Sequence, residues 1–287
     1  MIKFYYSFLL LFPICLQAQK LSIVDAETNQ PIAHTIVMLD TTGYYTNEKG
    51  EFFLAGKTFD SISIRHLAYK MLTLKQNKLP DTLYLSPKTI DLGEVELIDL
   101  SKHTVKKIKT KTIGSIMILT TNVELISCLC SKKKKDQIKL AKFIFNIRRR
   151  KPDTIAASLK ISFRLNIYEN NDFKPQQFVR SIDLSVLSAE GFEKNNSRAL
   201  HFDFGRNPLI VDEKGFCFGL EIMNPDSIKQ NDDVSFITTF VKRHRLLTGK
   251  SHIKFQLQND TRLFEYNSIL PDPKENYMFI PEIYIYE

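Results

Sequence analysis

The sequence predicts an all-β protein made of two β-sandwich domains. Short runs of β-branched and aromatic residues alternate with turns that contain Asn, Asp, Gly or Pro. Apolar residues recur at every second position. Ile161, Phe163, Leu165 and Ile167 are the longest such series; a strand lines them up, whereas a helix scatters them around its axis. Helical periodicity is weak throughout, and 287 residues with 43% hydrophobic content suffice for two cores.

The chain opens with the pattern of a secretory leader over residues 1–18. Lys3 supplies the positive start and Phe4 to Cys15 an apolar run too short to span a bilayer. Leu16-Gln17-Ala18 predicts cleavage between Ala18 and Gln19. Phe12-Pro13-Ile14 lacks the small residues that a lipidation signal places before its Cys. No later segment has the roughly twenty apolar residues of a membrane helix. The mature protein is therefore expected to be exported, soluble or peripheral, outside the cytoplasm.

Residues 19–97 are expected to form the first domain. Ile23 to Asp25 and Thr35 to Leu39 read as strands, with Asn29-Gln30-Pro31 as a turn between them. Thr46-Asn47-Glu48-Lys49-Gly50-Glu51-Phe52 reads as a turn into a strand, because Asn and Gly accept positive φ. Ile62, Ile64 and Leu67 against Ser61, Ser63 and Arg65 give a half-buried strand running to Tyr69. Val24-Asp25, Gln30-Pro31-Ile32, the Asn47 to Phe52 segment, Leu67-Ala68-Tyr69, Leu83-Tyr84-Leu85 and Leu92-Gly93-Glu94-Val95-Glu96-Leu97 together resemble the carboxypeptidase regulatory-like domain. That resemblance implies a transthyretin- or immunoglobulin-like sandwich, such as begins many TonB-dependent receptors. It implies no peptidase activity, because the module is the non-catalytic part of those enzymes. The sequence departs from the family in having Lys20-Leu21-Ser22 before its first strand and Ala68 where a Gly is usual.

Charge is uneven. Residues 102–151 hold fifteen Lys or Arg against Glu124 and Asp136, a net +13 in a chain of net +8. Residues 98–112 are expected to be a basic linker. Lys132-Lys133-Lys134-Lys135 and Arg148-Arg149-Arg150-Lys151 read as charged ends of neighbouring strands, which together could make one basic edge for an anionic glycan or phosphate. Protection of strand edges by Lys explains the same runs without a ligand. Nucleic acid is not expected as a partner, since no aromatic stacking motif accompanies the charge.

Residues 113–287 are expected to form the second, jelly-roll-like sandwich. Its strands include Lys142 to Arg148, Lys160 to Tyr168, Leu200 to Phe204, Phe216 to Ile222 and Met278 to Tyr286. Their order resembles the uncharacterised sandwich that often follows a carboxypeptidase regulatory-like domain. Cys128, Cys130 and Cys217 remain after the leader. They read as small buried hydrophobes, or as one bridge from Cys217 to either of the other two in an oxidising compartment.

Catalytic signatures are absent from the sequence. It has no H-E-x-x-H, no G-x-S-x-G and no phosphate-binding Gly-rich loop. Asp203 and Glu221 are the conceivable carboxylate pair, but each alternates with core aromatics and is expected to point to solvent. His66 and His201 read as ordinary strand residues. Four Asp-Ser/Thr-apolar triplets, at residues 60–62, 81–83, 153–155 and 226–228, match an O-glycosylation pattern and equally match turns before strands. The expected function is that of a non-catalytic exported envelope protein serving binding, adhesion or scaffolding, with glycan as the ligand class. It would need no cofactor and no metal. The alternatives are a glycan-active enzyme and an accessory partner of an outer-membrane uptake receptor.

Overall fold

A computed structural model describes residues 20–54, 56–88, 103–108, 111–120, 123–132, 137–149, 160–187, 197–205, 207–223, 235–243, 247–256, 262–266 and 278–287. The expected leader with Ala18 and Gln19, the Leu92 to Leu97 segment, and residues 133–135, 150 and 151 of the basic runs lie outside these. The protein is all-β, with no α-helix among the described residues and no helix long and apolar enough to cross a membrane.

The first domain stacks two small sheets. One has the order β4-β1-β7, with β1 at Lys20–Asp25, β4 at Glu51–Phe53 and β7 at Thr82–Leu85. The other has the order β3-β2-β5-β6, with β2 at Ile36–Leu39, β3 at Thr42–Tyr45, β5 at Ser61–Arg65 and β6 at Leu72–Lys75. Alternate residues meet between the sheets: Leu21, Ile23, Val37, Leu39, Phe52, Ile62, Ile64, Leu83 and Leu85 form the core.

The turns follow the sequence reading. Asn29 has φ 58° and Gly50 φ 69°. A Cβ on Gly50 would press against the Ile23 and Ile32 backbone, so the site needs glycine for space as well as for angle. Asn47 Oδ1 accepts from the N–H groups of Lys49 and Glu51 and pins the same turn. Ser61 opens β5, and its N–H and hydroxyl both donate to Asp40. Two readings change. β3 and β6 are strands that the sequence did not announce. The run to Tyr69 ends early, because His66 to Ala68 turn away from β5 and bring the Tyr69 hydroxyl to Asp25 at 2.7 Å.

The second domain is the larger sandwich. One sheet has the order β13-β12-β16-β10-β18-β19. Its strands are β10 Val123–Ser131, β12 Lys160–Asn171, β13 Lys174–Leu187, β16 Phe216–Met223, β18 Leu247–Phe255 and β19 Leu263–Glu265. The facing sheet has the order β8-β20-β11-β17-β9, with β14 and β15 also paired to β11. Its strands are β8 Val105–Lys107, β9 Lys111–Thr120, β11 Ile138–Arg149, β14 Ser197–Asp203, β15 Leu209–Val211, β17 Ser235–Arg243 and β20 Glu282–Tyr286. Phenylalanine fills the space between. Phe143 lies 5.0 Å from Phe218 and 5.1 Å from Phe204 between ring centres, and Phe145 lies 5.3 Å from Phe279.

Three expectations are corrected here. The segment read as a linker is strand in part of its described residues: β8 pairs with β20, and Lys106 and Lys107 meet Glu287 and Glu282 at 3.0 and 2.7 Å. Its lysines protect a sheet edge instead of joining domains. The basic runs do not form one edge through their described members. Lys132 follows β10 and Arg148 stands near the far end of β11, so most of a 12-residue strand, roughly 3.3 Å per residue, lies between them. Finally, of the two readings of the cysteines, three buried small hydrophobes give way to the one bridge. Cys128 and Cys217 face each other in the β10–β16 ladder and are disulfide-bonded, while Cys130 lies past the last paired position and is a buried thiol.

Peptide mapping of unreduced protein is expected to link the segments that contain Cys128 and Cys217 and to leave Cys130 alkylatable after denaturation. Removing the bridge by Cys128→Ser should lower stability by about 2–4 kcal/mol. A linkage from Cys130 to Cys217 would overturn this register.

Candidate functional site

The central strands of the six-stranded sheet, β10, β12 and β16, are buried on both faces. One face is the phenylalanine core. The other carries an apolar patch around Cys128 and Cys217, and beside it the register builds a row of charges across five strands. Asp183 on β13 lies opposite Arg164 on β12, Arg164 opposite Glu221 on β16, Glu221 opposite Glu124 on β10, and Glu124 opposite Lys254 on β18. Glu124 is 0%, Glu221 3% and Arg164 6% exposed, because the first domain sits over them.

Each member has partners, as buried charge requires. Arg164 donates from Nε and Nη2 to the two oxygens of Asp183 at 2.7 and 2.9 Å. Burial opposes its charge, but Asp183 and Glu221 outweigh that and raise its pKa. Asn166 Nδ2 bridges the carboxylates, donating to Glu124 Oε1 at 2.8 Å and to Glu221 Oε1 at 3.1 Å. Its Oδ1 is left without a hydrogen-bond partner among the described residues. The Tyr168 hydroxyl donates to Glu124 Oε1 at 2.6 Å, and Gln256 Nε2 to Glu124 Oε2 at 2.5 Å. Lys254 Nζ stands 3.9 Å from the same oxygen.

Gly219 makes this possible. It lies between Asn166 and Ile126 in the register, and a Cβ there would occupy the space of the Glu124 carboxylate. An isolated glycine inside a Phe-rich strand is the mark of such a close approach.

The first domain contributes the lid of the row. Tyr45, the last residue of β3, donates its hydroxyl to Glu221 Oε2 at 3.3 Å. The next residue holds it in place: Thr46 N–H donates to the Thr35 carbonyl, and Thr35 N–H donates to Thr46 Oγ1. Leu67 packs against Ile126, Tyr168 and the Cys128–Cys217 bridge. Beside these contacts a cleft of about 430 Å³ stays open between the domains. Tyr45, Arg65, His66, Tyr69 and Lys88 line it from the first domain, and Arg164, Glu221, Lys254 and Gln256 from the second. His34, in a left-handed turn at φ 53°, closes one corner.

Burial sets the proton affinities here. Glu221 is pushed up to about 7, first by burial and then by Glu124, against the pull of Arg164. Tyr45 and Tyr168 are raised as well, by burial and the neighbouring carboxylates. His66 falls to about 3 through burial and the nearby Arg164, so it is neutral; its Nδ1 accepts from the Ala68 N–H.

Asp203 faces solvent, as the sequence reading expects, and accepts from the Gly205 N–H, whereas Glu221, expected there too, is buried beside Glu124. His201 is an exposed strand residue, whereas His66 lies outside the strand and lines the cleft. No described member of the basic runs lines the cleft. Glu124, Arg164, Asn166 and Tyr168 were missed because a polar alternation looks the same whether water or another domain covers it. Gly219 was the available signal. No cluster of metal-binding type occurs among the described residues.

No family model matches the chain, and no curated protein matches it. Among solved structures it is similar to one of the infectious bursal disease virus Gt strain, with TM-score 0.28 and 10% identity over 93% of this chain and 58% of that one. A structure of an IBDV viral particle gives TM-score 0.19 and 10% identity over 88% and 55%. The chain thus spans less than two thirds of either, and likenesses this slight carry no functional argument.

Two outcomes follow from the charge row. Folded Glu221 holds its proton where an unfolded glutamate, near 4.5, has lost it. The folded state therefore binds more protons in that window, and stability falls as pH rises from about 4.5 through about 7. Urea unfolding at about pH 5 and about pH 8 should show the loss, and Glu221→Gln should flatten it. Gly219→Ala should lower stability by about 2–4 kcal/mol by displacing Glu124, measured the same way.

Proposed function

We propose that the chain is a non-catalytic, exported binding protein of a Gram-negative cell envelope, and that the interdomain cleft is its binding site. In this reading the first domain is a transthyretin-like module of the carboxypeptidase regulatory-like kind, and the second a jelly-roll-like sandwich. The observation that carries the binding reading is the cleft itself. Its volume falls in the usual range for small-molecule sites, and its walls combine apolar side chains with a few convergent polar groups. Its two walls come from different domains, each held by its own core. Export is supported by the leader pattern and by a disulfide, a bond that persists in oxidising compartments.

A glycan-active enzyme is the second reading, favoured by one observation: two buried carboxylates are bridged by one amide, and one of them is raised to about 7. Two-carboxylate chemistry needs both groups to reach one glycosidic bond. Glu124 does not line the cleft, and its oxygens are engaged by Asn166, Tyr168 and Gln256, so Glu221 alone faces the opening. That geometry weighs toward binding.

Fractionation of the native host with N-terminal sequencing tests export: the mature protein should lie in the envelope and begin at Gln19. A cytosolic protein that begins at Met1 overturns it. Reducing-end release from acidic and neutral envelope polysaccharides, lost in Glu221→Gln, would replace the binding reading with the enzymatic one.

A further inference from the structure

We infer that the cleft takes an oxyanion carried on a single sugar-sized ring, with Arg65 gripping the carboxylate or phosphate group. The inference names the ligand class of the binding site proposed above and rests on that reading only for where such a ligand would be met.

Arg65 closes β5, where Ile62 and Ile64 point into the core and Arg65 therefore points out, toward the second domain. Its Nε is buried and makes no hydrogen bond among the described residues. Arginine is the side chain best suited to a planar two-point grip on carboxylate or phosphate, and a buried donor left unused is costly. The other cations at the opening differ in kind. Arg164 is committed to Asp183. Lys254 is only loosely paired, at 3.9 Å from Glu124. Lys88 is exposed and bonded to the Leu67 carbonyl, from which it can swing.

The local balance also favours an anion. Arg65, Lys88, Arg164 and Lys254 stand against Asp183, Glu124 and Glu221, and Glu221 carries a proton for part of the time near neutrality. A cationic ligand would have to displace those amines, and a neutral one would leave Arg65 unpaired. The rest of the wall suits a ring with one apolar face. Ile36, Leu67, Met71 and Tyr69 supply contact area, while Gln256 and the Glu221 carboxyl can exchange hydrogen bonds with hydroxyl groups. The volume of about 430 Å³ is within the range of small-ligand sites and suits a sugar-sized ring.

The test is calorimetric titration of the purified, disulfide-intact protein with glucuronate, glucose 6-phosphate and glucose. At least one of the two anions should bind about tenfold or more tightly than glucose. Preference between the anions identifies carboxylate or phosphate as the natural group. Arg65→Gln should weaken anion binding by about tenfold or more and leave glucose unchanged. Lys88→Gln, at an exposed position, should weaken it severalfold with no change in the unfolding midpoint. Binding of neither anion, equal binding of all three sugars, or full retention by folded Arg65→Gln overturns the inference. None of these outcomes bears on export, and a cytosolic location would not alter the titration.

Discussion

A sheet face that carries Asp183, Arg164, Glu221, Glu124 and Lys254 in one row cannot be covered by an ordinary apolar surface. Its buried members, Arg164, Glu221 and Glu124, must each keep a partner once water has been removed, while Asp183 stays in reach of solvent. The row meets that condition by alternating sign where it can and by bridging where it cannot. At the one place where two carboxylates are neighbours, an amide donates to both, and one of them takes up a proton more readily. Losing a single partner from such a row leaves a buried charge and costs about 3–5 kcal/mol, so its members depend on one another.

The rest of the second domain serves as a stiff platform for that row. The facing sheet and the phenylalanine core fix the strands from below. The Cys128–Cys217 bridge ties β10 to β16 two rungs beyond Ile126 and Gly219, on the same face as the two glutamates. Glycine at 219 gives the Glu124 side chain room to lie along the sheet toward Asn166 and Tyr168. The polar network thus specifies a geometry more than it adds net stability, since satisfied buried pairs contribute little over apolar packing.

The first domain answers with matched chemistry. Tyr45, Ile36 and Arg65 lie side by side across β3, β2 and β5. Tyr45 donates to Glu221, Leu67 fills the apolar patch around the disulfide, and Arg65 keeps a buried donor unspent. Tight contact at one side and an open cleft at the other come from the same two surfaces. Two further cleft-lining residues lie off the strands: His34 is in a left-handed conformation, and Tyr69 is anchored by its hydroxyl to Asp25. Rigid strands with turn-borne side chains at their ends are a common way to build a binding site.

The sequence by itself determined the all-β class, the turn at Asn47 to Gly50, the core face of Ile161, Phe163, Leu165 and Ile167, and the strand beginning at Ser61. Those features rest on period two and on the local demands of positive φ, both of which act between near neighbours. Only the tertiary structure decided what lies over the other face. Arg164, Asn166 and Tyr168 alternate with the core residues just as solvent-facing residues do, and nothing local distinguishes a domain from water as their cover. The choice of Cys128 over Cys130 likewise needed the β10–β16 register, since both point to the same side of the strand. The basic runs show the opposite failure. They are the loudest signal in the sequence, yet β11 stands between their described members, while the cations that line the cleft come singly from distant strands. Charge clustered along a chain says little about charge clustered in space, because the fold assembles its sites across strands.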